Sequence, residues 1–207
     1  MSDVQRKPQA VVWDVGRVLY HWELRLLFAK LIDDRQQLDW FLANVITEDW
    51  HYQHDAGRSL AEMVPERKKL FPQYANLIDA YALRFNETIP GPVERTHDLV
   101  ARLAANGVRQ YALTNFGAEF WAMFRPTAPI FDCMEDAVVS GIEKCAKPDT
   151  RIYRILEQRS GMEGADLFFI DDREDNIAAA RARGWGGHVF NDADALETEL
   201  RALELLP

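Results

Sequence analysis

The stretch AVVWDV, Ala10 to Val15, is a short apolar run rich in β-branched residues that carries an acid at its end, and four runs of similar kind follow it. They are VRQYALTN (Val108 to Asn115), AVVS (Ala137 to Ser140), LFFID (Leu167 to Asp171) and GHVF (Gly187 to Phe190). Short continuous apolar runs read as strands buried on both faces, and the segments between them have helical character. That alternation restricts the chain to an α/β architecture, a mostly parallel sheet covered by helices on both sides. Gly184 and the Gly186-Gly187 pair read as helix termination, not as a phosphate loop.

One interval breaks the rhythm. From Leu19 to Pro90 no strand-like run occurs, but LRLLFAKLI, LDWFLANVI and YANLIDAYALRF repeat apolar residues at three- and four-residue spacing. Ser59 with Glu62 forms a capping-box pattern, and Pro90-Gly91-Pro92 closes the interval. The pattern predicts a helical insertion over residues 20–90 after the first strand, with residues 1–19 and 91–207 forming the core. Its aromatics, Trp40, Phe41, Trp50, Phe71, Tyr81 and Phe85, are expected to pack as the core of a small bundle.

Composition excludes several partners. With 207 residues, 48% of them hydrophobic and 28% charged, the chain can bury one full domain and an insertion. A net charge of −9 without any Lys/Arg-dense run argues against nucleic acid. No apolar stretch reaches the roughly 20 residues that span a bilayer. The N-terminus MSDVQRKPQA lacks the apolar centre of a signal peptide, so a cytoplasmic protein without membrane partners is expected. Cys133 and Cys145 read as ordinary reduced cysteines.

Polar residues cluster where the strands end: Asp14 after the first, Thr114 and Asn115 after the second, Lys147 beyond the third, Asp171 and Asp172 after the fourth. Ligands of open α/β sheets bind at the carboxyl ends of strands, so these groups can converge. The residue types suit phosphoryl transfer. Neighbouring carboxylates make a hard oxygen site for Mg²⁺, a lysine neutralises charge, and a threonine hydroxyl or asparagine amide can donate to phosphate oxygens.

WDVGRVL, ALTNF, KPDTRIY and FFIDDREDNIAAARARG, in that order, resemble the four signature motifs of the haloacid dehalogenase-like superfamily, with the insertion where its helical cap sits. The resemblance runs from about Val11 to Phe190. The DxG first motif, the stretch EDWHYQHDAGRSLAE and the DDxxDN pattern look like its bacterial alpha-D-glucose-1-phosphatase-like subgroup. The resemblance implies a Rossmann-like core and a Mg²⁺-dependent phosphatase acting on a small phosphorylated metabolite, a sugar phosphate first, through an aspartyl phosphate. It implies Asp14 as nucleophile and metal ligand, Thr114 as the phosphate-binding hydroxyl and Lys147 as the neutralising cation. Asp172 becomes the direct metal ligand with Asn176 behind it, Asp171 a second nearby acid, and the Gly16 carbonyl the third ligand. Asn115, Gly16 and Arg17 join the phosphate-binding set. A monomer or homodimer is expected.

Gly16 is a departure. Many phosphatases of the superfamily carry a second aspartate there as general acid and base, and Arg17 stands where glycine is common. His21, Glu23, His51, His54 and Asp55 are the candidates to replace it. Two rivals remain: a metal-free 2-haloacid dehalogenase, whose last motif resembles a serine-serine-asparagine pattern, and a non-catalytic member that binds phosphorylated ligands. The spacing of His51 and His54 also admits a transition-metal pair, with no third ligand suitably spaced.

Overall fold

Strands form at all five apolar runs: β1 (Ala10–Trp13), β2 (Arg109–Thr114), β3 (Asp136–Val139), β4 (Leu167–Asp171) and β5 (Gly186–Val189). They pair parallel throughout, in the order β3-β2-β1-β4-β5. The computed structural model describes residues 7–207, so most of the N-terminal stretch read for a signal peptide lies outside the described residues.

Eleven α-helices lie among the described residues: α1 (Arg25–Phe28), α2 (Arg35–Asn44), α3 (Glu48–Asp55), α4 (Leu60–Leu70), α5 (Ala75–Leu83), α6 (Glu94–Ala105), α7 (Ala118–Phe124), α8 (Ser140–Glu143), α9 (Thr150–Ser160), α10 (Glu174–Arg181) and α11 (Ala193–Ala202). The two-residue period of each strand decides which helices it meets. Val11, Trp13, Phe168 and Ile170 join Leu99 and Leu103 of α6 and Leu196 and Leu200 of α11 in one core. Val12, Leu167 and Phe169 join Ile152 and Leu156 of α9 and Ile177 of α10 in the other. Each side chain so enclosed contributes about 1.5–3 kcal/mol of transfer free energy.

No strand of the sheet lies between β1 and α6 among the described residues; α1 to α5 fill that interval. Local chemistry starts these helices. Asp34 accepts from Gln37 N at 2.7 Å, Thr47 accepts from Trp50 N at 3.0 Å, and Ser59 with Glu62 makes the expected capping box. Phe41, Trp50, Tyr81 and Phe85 are buried and Phe71 half-buried, as a bundle core requires. Trp40 departs from that expectation: it is 44% exposed, its ring leaning on Phe71 and Tyr74 from outside. The chain's two crossings run side by side, with His21 N donating to Gly91 O at 3.0 Å and Val93 N to Leu19 O at 2.9 Å.

The glycines after α10 divide differently from expectation. Gly184 ends the helical segment at φ +83°, but Gly186 and Gly187 belong to β5. A Cβ at Gly186 would stand 2.8 Å from the Phe168 ring, and one at Gly187 3.1 Å from Ile177. Close packing against β4 and α10 thus requires them.

Candidate active site

The chain leaves β1 for β2 and β3 on one side, then returns to place β4 and β5 on the other. The loops after β1 and β4 therefore part at a switch point, where parallel sheets open a crevice. Asp14 follows β1 directly and its N donates to Ile170 O at 2.9 Å, which sets it level with Asp171 at the end of β4. Its Oδ1 accepts from Val15 N at 2.7 Å and faces Lys147 Nζ at 2.8 Å. Its Oδ2 has no hydrogen-bond partner among the described residues, and Asp14 lines a cavity with Gly16, Arg17, Asp55, Asn115, Lys147 and Asp172.

Lys147 is 2% exposed, yet its ammonium is saturated: it donates to Asp14 Oδ1, to Asp171 Oδ2 at 2.6 Å and to Leu113 O at 2.9 Å. Two acids beside it keep it charged against the cost of burial. Asn115 fixes the lysine's backbone, accepting from Lys147 N at 2.8 Å and donating to Lys147 O at 3.0 Å. Asn115 thus anchors Lys147 with one of its two amide N–H groups, a task beyond the expected one, and still lines the cavity.

The expectation for Asn176 is corrected. Its Nδ2 reaches Asp171 at 2.9 and 3.0 Å, so it stands behind Asp171 and not Asp172. Asp172 keeps its carboxylate toward the cavity, with Arg17 as its ion-pair partner at 3.9 Å. Arg17 also bonds Glu48 at 3.2 Å, lies over the Trp22 ring at 5.1 Å, and has φ +61°. A left-handed backbone there accounts for glycine being common at that position. Thr114 ends β2 with its hydroxyl buried and unpartnered, which leaves a donor for a bound anion.

One oxygen from each of Asp14, Asp171 and Asp172 lies within 4.8 Å of the others, the single such acidic, histidine or cysteine group of three among the described residues. Burial chiefly pushes the Asp14 carboxyl up to about 7 although Lys147 pulls it down, and Asp171 and Asp172 add to the rise. Burial and then Asp171 raise Asp172 as well. Three acids share one buried ammonium, so the site is short of positive charge. An all-oxygen set in that condition fits a hard divalent cation. The Gly16 carbonyl, at the cavity wall, takes no hydrogen bond among the described residues and is available to the same ion.

Of the five candidates for the missing acid and base, only two line the cavity. His21 and Glu23 are exposed outside it, Glu23 reaching Arg25 instead. His54 turns away, with Nδ1 2.7 Å from Arg58 O and Nε2 3.7 Å from Glu119. His51 and Asp55 face inward on α3, and His51 Nε2 lies 3.4 Å from Asp55 Oδ2. The two histidines have different partners, so no transition-metal pair forms. Residues missed in the sequence complete the walls: Trp22 stacks on His51 at 5.1 Å, and Tyr20, Phe116 and Ile89 border a second, more apolar cavity. Ser140, at the end of β3, was also missed. Its hydroxyl donates to Asp55 O at 2.6 Å and accepts from Phe116 N at 2.9 Å. Small polar residues at strand ends are the available signal, the one that singles out Thr114 and Asn115. Cys133 and Cys145 are both free.

The family model for haloacid dehalogenase-like hydrolases matches residues 9–184. A sesquiterpene phosphatase of Aspergillus oryzae is 26% identical over 201 residues, covering 94% of this chain and 96% of that protein. Flavin mononucleotide hydrolase 1 of Arabidopsis thaliana is 30% identical over 106 residues, 51% of this chain and 43% of that protein. Among solved structures, an enzyme of this family from Bacteroides thetaiotaomicron, in complex with magnesium and inorganic phosphate, superposes with a TM-score of 0.69 at 20% identity. The match covers 91% of this chain and 98% of that one. No helix among the described residues is long and apolar enough to cross a membrane.

Proposed function

The chain belongs to the haloacid dehalogenase-like hydrolases, and from that premise we propose that it is a Mg²⁺-dependent phosphatase of small monoesters in which Asp14 is transiently phosphorylated. The observation that carries this reading is the state of Asp14: one oxygen held by Lys147 and Val15 N, the other unpartnered at a cavity shared with Asp172. A nucleophile needs that division, one oxygen fixed and one free to attack.

Asp14, Asp172 and the Gly16 carbonyl would hold Mg²⁺, which supplies positive charge between the carboxylate and an incoming phosphate dianion. Lys147 favours the ionised form of Asp14 and holds it in place. Thr114 donates its unpaired hydroxyl to a phosphate oxygen, and Arg17 adds charge at the rim. Residues 20–90 act as the cap, with α3 and Trp22 closing the cavity over the core.

The organic part of the substrate follows from the adjoining cavity. Val15, Tyr20, Trp22, Phe85, Ile89 and Phe116 line it, joined by few polar groups. A hexose needs several directed hydrogen bonds, whereas these walls reward an apolar alcohol. We therefore place monophosphates of apolar alcohols ahead of the sugar phosphate that the motif resemblance implies. Similarity to a sesquiterpene phosphatase supports the same choice. Rates on an isoprenoid alcohol monophosphate and a hexose phosphate, with Mg²⁺ and with chelator, test it. Preference for the isoprenoid ester, lost on chelation, is expected, and halide release from 2-halo acids that survives chelation would contradict it. Asp172 beside the nucleophile favours the metal-dependent reaction over that rival.

A further inference from the structure

Gly16 stands two residues after Asp14, and a Cβ built there meets nothing within 4 Å. The loop thus offers the leaving-group oxygen open space and no acid. Five residues border both the cavity at Asp14 and the apolar one beside it: Gly16, Trp22, His51, Asp55 and Asn115. An ester oxygen joins phosphate to alcohol, so it must sit at that border. Asp55 is the single carboxylic acid among the five.

The other acids at the wall serve less well. Glu48 is 71% exposed at its side chain and paired with Arg17, Asp49 is exposed, and Asp172 belongs to the cation site. Asp55 is 7% exposed, and its Oδ1 is buried without a hydrogen-bond partner. Ser140 ties its backbone carbonyl to the loop after β2, while His51 Nε2 faces its Oδ2. Tyr81 OH, 2.7 Å from His51 Nδ1, sets that ring in turn.

Resting on the phosphatase reading above, the geometry points to Asp55 as the general acid and base of the reaction, in place of the acid that Gly16 lacks. Burial, chiefly, pushes its carboxyl up to about 8, so it carries a proton at neutral pH. Asp14 Oδ2 attacks phosphorus, the bond from phosphorus to the ester oxygen breaks, and that oxygen takes the Asp55 proton as the alcohol leaves. Water then attacks the phosphorylated Asp14 and gives its proton to the Asp55 carboxylate. The bond from phosphorus to Asp14 breaks, phosphate departs, and both aspartates return to their first state. His51 is a positioning residue. Burial pushes it down to about 3, so it remains neutral and can steady the Asp55 carboxylate between steps through its Nε2.

The test measures wild type and Asp55→Asn on aryl and alkyl monophosphates spanning leaving-group acidity, with acid quenching to trap phosphorylated Asp14. Wild type is expected to show a shallow leaving-group dependence. Asp55→Asn is expected to lose about 10²–10⁴-fold on alkyl esters, far less in the alcohol burst from aryl esters, and to accumulate the phosphoenzyme. Asp55→Asn turning over alkyl esters at the wild-type rate overturns the assignment. So does a steep dependence in wild type itself, which needs no variant to fold. Wild type that releases phosphate from no ester removes the phosphatase reading, and this assignment with it.

Discussion

Asn176 Nδ2 donates to both carboxylate oxygens of Asp171, at 2.9 and 3.0 Å, while Lys147 Nζ and Arg173 N occupy the same group at 2.6 and 2.8 Å. Asp171 is thereby filled with protein donors. Asp172, the next residue, has its carboxylate on the cavity. The neighbouring acids should therefore fail differently. Asp172→Ala should raise the Mg²⁺ concentration needed for half-maximal rate and leave the melting temperature close to wild type. Asp171→Ala should lower melting strongly, because removing one partner of a buried pair costs about 3–5 kcal/mol, less here insofar as Asp14 still pairs with Lys147. Melting curves with a Mg²⁺ titration of the rate separate the two, and a larger Mg²⁺ effect at Asp171 would contradict the assignment.

Gly117 is the contact point of α3 with the core: a Cβ there would lie 2.0 Å from His54 Cδ2. His54 is fully buried and held by Arg58 O, so it cannot simply swing aside. Gly117→Ala should destabilise by about 1–3 kcal/mol through overpacking, and should slow turnover because Asp55 rides on the same helix. Denaturant unfolding measures the first effect. An unchanged midpoint would show that α3 is free to shift.

Asp55 also predicts a pH signature in stability. The groups facing it are His51 on its own helix, Asp14 and Lys147 across the cavity, and the Gly117 N–H. Burial, chiefly, pushes its carboxyl from the ordinary 3.8 up to about 8 in the folded chain, so the folded state binds the extra proton between these limits. Stability must then fall as pH rises through that window. Asp55→Asn removes the dependence, so its melting temperature relative to wild type should climb from pH near 4 to pH near 8. His51 acts oppositely, since burial and then His54 lower it to about 3 and its contribution is lost on acidification below its ordinary 6.5. A constant difference between variant and wild type across the range would contradict the buried, protonated state of Asp55.

The sheet was legible because its strands are buried on both faces, and burial on both faces writes a continuous apolar run, as in Phe168-Phe169-Ile170. The acids and Lys147 were legible because strand ends concentrate chemistry at one edge. Side-chain partnerships were not. Nothing in the order Asp171, Asp172, Asn176 says which acid the amide reaches, since they lie five and four residues before it across a strand-to-helix loop. Asn115 showed the same limit, its partners being the backbone of a residue thirty-two positions away. On α3 the three-residue pairing of His51 with His54 drew attention, but the four-residue pairing of His51 with Asp55 faces the cavity. Trp40 kept the bundle's spacing yet faces out, because Phe41 beside it fills the inner position.

Phosphorylation of Asp14 is the central claim, and chemical trapping tests it most directly. Asp14→Asn keeps the side chain's size, but an amide cannot form the acyl phosphate, and Lys147 retains Asp171 as its partner. Wild type should yield an acid-quenched phosphoenzyme at Asp14 with Mg²⁺ and substrate. Asp14→Asn should yield none and show no turnover while remaining folded. Turnover by Asp14→Asn at a rate near that of wild type, or a phosphoryl group trapped elsewhere, would contradict the account.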